Sequence, residues 1–60
     1  MNKEIIKKQI LTIRDTGATN MFDTRAVKEL AEMLEFEELI EYLETNKKQY
    51  CEFIMYGKGL

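Results

Sequence analysis

Thr16-Gly17-Ala18-Thr19-Asn20-Met21-Phe22-Asp23-Thr24 separates two amphipathic patterns and is the only sizeable stretch without helical periodicity. Gly17 suits the left-handed position that closes many helices. Asp23 or Thr24 suits the N-cap of a new one, because a short side-chain oxygen can accept from an orphan backbone N–H. Met21 and Phe22 stand where a plain linker would be polar. Apolar residues beside a cap usually pack inward, so both are expected to plug the core.

Working outward, Ile6, Ile10 and Ile13 recur at helical spacing before this stretch, with Ile5 at the margin and Asn2 as a candidate N-cap. Leu11 falls off that stripe and reads as exposed or as part of a second contact. After the stretch, Ala26, Val27, Leu30, Ala31, Met33 and Leu34 form one apolar face. Arg25–Glu29 and Lys28–Glu32 are available i,i+4 pairs.

From Glu35 to about Tyr56, the positions Phe36, Leu39, Ile40, Leu43, Tyr50, Phe53 and Ile54 stay in one helical phase. The spacing therefore predicts one long helix of about six turns, bent near Asn46. The alternative is a second helix capped at Thr45-Asn46. Gly57 ends the pattern, and Lys58-Gly59-Leu60 is expected to fray. The expected fold is all-α: a single domain over residues 1–60, with three helices and a long C-terminal one.

Size and composition narrow the possibilities. A 60-residue chain buries only about 60% of its unfolded surface, so a small domain usually needs a staple. Cys51 is the one cysteine, which excludes an internal disulfide, and there is no histidine. Oligomerisation remains. Two short helices would leave the distal end of a six-turn helix bare, so a homodimer through that end is expected. A lone cysteine, a charged N-terminus and no long apolar run suggest a cytoplasmic protein without a membrane span.

Charge is uneven. Residues 35–46 carry Glu35, Glu37, Glu38, Glu41 and Glu44 with no base, while residues 1–15 carry Lys3, Lys7, Lys8 and Arg14 against Glu4 and Asp15. No residue pattern supplies a nucleophile with its base, a metal cage or a phosphate-binding loop, so no catalytic, cofactor or metal residue is assigned and an enzyme is not expected. Cys51 reads as a small hydrophobe in a helix contact. The helices after Arg25 and Phe36 could form a helix-turn-helix, but the second would bring Glu35, Glu37, Glu38 and Glu41 toward phosphates. Those glutamates disfavour nucleic acid, which stays the alternative partner; the basic face of Lys3, Lys7, Lys8 and Arg14 is the better candidate for touching it. Protein binding leads, with Glu37, Glu38, Glu41 and Glu44 as an acidic patch and Tyr50, Phe53 and Tyr56 as an aromatic end.

Ile13-Arg14-Asp15-Thr16-Gly17, Thr19-Asn20-Met21-Phe22-Asp23, Phe36-Glu37-Glu38-Leu39, Tyr42-Leu43 and Tyr50 with Phe53-Ile54-Met55 together resemble a family of short uncharacterised proteins from phages and mobile elements of Gram-positive bacteria. Thr-Asn-Met-Phe-Asp is its most specific piece. The resemblance covers nearly the whole chain. It implies a phage or prophage setting, in which small proteins commonly bind and disable a host factor, and it implies no activity and no site residues.

Overall fold

A computed structural model describes residues 2–58 and 60. Among them the chain forms four α-helices and no strand: α1 (Lys3–Thr16), α2 (Thr24–Met33), α3 (Glu37–Thr45) and α4 (Lys47–Tyr56). α3 is the hub and packs against each of the other three, while α1 also packs on α2.

The isoleucine stripe becomes the inner face of α1, with Ile6, Ile10 and Ile13 fully buried. Asn2 caps this helix, its Oδ1 accepting from the N–H groups of Glu4 (3.0 Å) and Ile5 (3.2 Å). Gly17 ends it at φ 65°, a left-handed conformation that glycine adopts without Cβ strain. Asp23 starts α2 by accepting from the Ala26 N–H at 3.2 Å. Val27 and Ala31 are the buried residues of α2.

The loop between α1 and α2 is tied down by its own short side chains. The Thr16 hydroxyl donates to the Ile13 carbonyl (2.6 Å) and accepts from the Ala18 N–H (3.2 Å). Asn20 Oδ1 accepts from the Phe22 N–H, and the Asn20 carbonyl accepts from the Asp23 N–H, both at 2.9 Å. This turn sends its two apolar residues in opposite directions. Met21 packs against the core as expected, but Phe22 is 53% exposed. Its expected burial is corrected, because the turn at Asn20 leaves room inside for one of the pair.

The single long C-terminal helix is also corrected. An unbroken helix over residues 37–56 would be about 30 Å long, against a longest molecular dimension of 24 Å. The chain instead breaks at Asn46 (φ −130°, ψ 42°), which closes α3 and opens α4. The Asn46 N–H still donates to the Tyr42 carbonyl (2.7 Å), and its carbonyl accepts from the Tyr50 N–H (3.0 Å). Its side chain caps neither helix. Asn46 Oδ1 takes the Thr45 hydroxyl at 2.7 Å, a local bond of the kind that competes with helical continuation. The break folds α4 back and puts Tyr50 fully inside the core with Leu39, Tyr42 and Leu43.

The fold thus has four helices where three were expected, and the bare helix end that called for a dimer is absent. Leu60, expected to fray, is half-buried against the core, while Gly59 lies outside the described residues. Met33, on the expected apolar face, is 78% exposed in the last turn of α2. Beyond it, Glu35 holds φ 59°. The Phe36 N–H reaches the Ala31 carbonyl (2.8 Å) and the Glu35 N–H the Glu32 carbonyl (3.2 Å). This is a Schellman closure with glutamate in the place usually taken by glycine.

Candidate functional site

The more enclosed of two surface pockets lies between α1, the α1–α2 loop and α4. Ile10, Leu11 and Arg14 line it from α1, Met21 from the loop, and Phe53, Ile54 and Gly57 from α4. Its volume is about 200 Å³. Spacing builds each wall. Ile10 and Arg14 are four residues apart on α1, and Phe53 and Gly57 four apart on α4, so each pair occupies one helix face.

The wall from the loop is fixed by a long-range bond, with the Tyr50 hydroxyl donating to the Met21 carbonyl at 2.6 Å. Burial, and secondarily the neighbouring Cys51, raises the Tyr50 phenol well above its ordinary value. Burial first and Glu52 second do the same for Tyr42. Both phenols therefore stay protonated at neutral pH, which suits Tyr50 to donating this hydrogen bond. The chain neighbours of the groove residues carry exposed apolar side chains: Phe22 follows Met21, and Met55 (54% exposed) and Tyr56 (65%) lie between Ile54 and Gly57. Arg14 is the one charged residue of the lining.

A second, shallower cleft of about 350 Å³ is lined by Thr24, Arg25, Lys28, Leu43, Glu44 and Lys47. Lys28 reaches across it to Glu44 at 3.5 Å, with both side chains substantially exposed. That pair links α2 to α3, and it contributes little to stability at such exposure. Among the described residues it is the ion pair formed, in place of the expected Arg25–Glu29 and Lys28–Glu32 pairs.

The seven residues expected to bind a partner are not brought together. Glu37 and Glu41 are exposed on α3 and Glu38 is half-buried, while Glu44 faces the second cleft. Glu37 and Glu38 also occupy the first turn of α3, where carboxylates complement the helix dipole. Of the aromatic three, Phe53 lines the groove and Tyr56 stands beside it at the surface. Tyr50 is fully buried, so its side chain braces the groove from within and presents nothing to a partner. That expectation is corrected by the fold-back of α4. Sequence reasoning missed Arg14, Met21 and Ile54 as groove residues; the available signal was Leu11, an apolar residue off the core stripe of α1.

Among the described residues, every buried side-chain nitrogen or oxygen has a hydrogen-bond partner. No group of three or more acidic or cysteine side chains among them is arranged to hold a metal ion. No helix among the described residues is long and apolar enough to cross a membrane.

The family model described as Domain of unknown function (DUF5049) matches residues 1–58. No curated protein and no solved structure matches the chain.

Proposed function

The chain belongs to the family described as Domain of unknown function (DUF5049), and on that premise we propose that it is a non-catalytic module that binds another protein. One observation carries the reading. A chain of 60 residues that seals Tyr50 inside its own core nevertheless leaves Phe22, Met55 and Tyr56 outside and carries an apolar groove at its surface. Aromatic side chains supply large contact areas, and exposed apolar groups and a preformed groove are what a partner can bury. The acidic face of α3, with Glu37 and Glu41 outward, is a second contact of opposite character.

In line with the resemblance to phage and mobile-element proteins, the partner is a host protein and the module an inhibitor of it, acting in the host cytoplasm. Self-association belongs to the same proposal, with the exposed apolar residues as the contact and not a bare helix end. Affinity capture from a host lysate, with mass spectrometry of the retained material, tests the binding. One host protein retained in stoichiometric amount supports the inhibitor reading. Light scattering tests the dimer: a particle of 7.1 kDa at micromolar concentration removes it.

The second cleft favours one other reading. Arg25, Lys28 and Lys47 converge there, next to two helices joined by the short turn at residues 34–36. That arrangement supports a small helix-turn-helix-like DNA-binding protein. Glu37, Glu38 and Glu41 at the start of α3 oppose it, because they would face phosphates. Retention of nucleic acid alone, released as salt is raised, decides for this reading and against the first.

A further inference from the structure

We infer that the groove between α1 and α4 docks an acidic segment of a partner protein that carries one large apolar side chain. The inference rests on the protein-binding reading and specifies what the partner offers. The groove floor is built from Leu11, Met21, Phe53 and Ile54, and its volume is about 200 Å³. Apolar cavities of about 150 Å³ accept a benzene ring, so the space matches a single phenylalanine, leucine or methionine side chain and not a longer apolar stretch.

Charge selects among segments that carry such an anchor. Arg14 lines the groove, and its guanidinium has no carboxylate within ion-pair distance among the described residues. Lys3, Lys7, Leu11 and Arg14 follow one another at spacings of four, four and three residues, so they run as one strip along α1. Lys3, Lys7 and Arg14 are exposed. Among the described residues, none that lines the groove is acidic. An occupant therefore meets apolar surface at the floor and a line of unpaired positive charge leading away from it. An apolar anchor followed by carboxylates satisfies both. Arginine can take a carboxylate through two parallel hydrogen bonds, which fixes the orientation of the segment.

The experiment titrates the isotopically labelled full chain with a six-residue synthetic peptide containing one phenylalanine flanked by aspartate and glutamate. The expected result is saturable shifts of the Leu11 and Ile54 methyls and the Phe53 ring. Replacing the peptide's phenylalanine by serine, or its acids by lysines, weakens binding by about tenfold or more. R14E and K7E, both at exposed positions and separately checked for an unchanged fold, weaken it similarly. Absence of saturable shifts overturns the inference, as does equal binding of the basic peptide. Loss of the peptide shifts as protein concentration is raised also overturns it, because a second copy then competes for the groove itself. A lysate partner that survives R14E but is lost with Glu37 and Glu41 reversed to lysine removes the groove as the docking site while leaving the protein-binding reading in place.

Discussion

The hydroxyl of Tyr50, on the last helix, donates to the backbone carbonyl of Met21, in the first loop, at 2.6 Å. One bond joins two segments 29 residues apart and satisfies a partly buried carbonyl in a loop that has no helical partner for it. Y50F removes the donor, keeps the ring and leaves the carbonyl unpaired. The expected loss is about 1–2 kcal/mol of unfolding free energy, read from urea denaturation. An unchanged midpoint with an unchanged slope shows that water replaces the hydroxyl without cost.

The same phenol predicts alkaline sensitivity. Its pKa in the folded chain is raised by burial, and that of Tyr42 is raised for the same principal reason. The unfolded chain releases these protons near the ordinary tyrosine value of about 10. Below that value the stabilisation is fully present. As pH rises above it the unfolded chain binds fewer protons, and stability falls by up to about 1.4 kcal/mol per pH unit for each phenol. Denaturation midpoints measured from pH 8 to 11 should be flat and then decline, and Y50F should decline less steeply. Equal slopes in the two proteins would assign the decline to other groups.

A third expectation concerns a cap supplied from another helix. Phe36 stands at the N-cap of α3 and has no side-chain oxygen to offer. Gln9 on α1 provides it instead, its Oε1 accepting from the Leu39 N–H at 3.0 Å. Q9A should cost about 1 kcal/mol, the usual cost of losing an N-cap, and should speed amide exchange at Leu39 while leaving α2 protected. Unaltered exchange at Leu39 rules out the cap.

Glu35 offers an opportunity to stabilise. A non-glycine residue at φ 59° bears Cβ strain, which in left-handed backbone costs about 1–2 kcal/mol. E35G should raise stability by about 0.5–1 kcal/mol, after the extra entropy of glycine in the unfolded chain is subtracted. E35A keeps the Cβ and should change stability little, so equal effects from the two variants show that strain is not the cause.

Helix ends were the legible part of this sequence. Asn2, Gly17, Asp23 and Gly57 each act through local chemistry, a side-chain oxygen or a missing Cβ, and each does in the structure what its position implies. The isoleucine stripe of α1 was equally plain. What stayed hidden depends on tertiary choice. Glu35 carries no glycine signal for the turn it makes. Met21 and Phe22 are alike in composition, and the turn at Asn20 decides which one enters. The groove was legible only in outline, since Phe53 and Tyr56 belong to its surroundings while Arg14 and Met21 come from segments that meet it only after α4 folds back.

Asn46 was legible as a bend or a cap but not as a full break, because the apolar positions on either side of it, within 36–43 and 50–54, keep one helical phase. That continuity has a topological consequence. If Asn46 took helical angles, residues 37–56 would become one rod and α4 would leave its own core with its apolar residues still in register. A second copy lacking the same wall could receive it, so two chains could trade their last helices and rebuild both cores by exchange. N46A, which favours the straight form by helix propensity, should therefore increase a swapped dimer in sedimentation; a monomer throughout would close that route. Ownership of Tyr50 by its own chain thus hangs on the dihedral angles of a single residue.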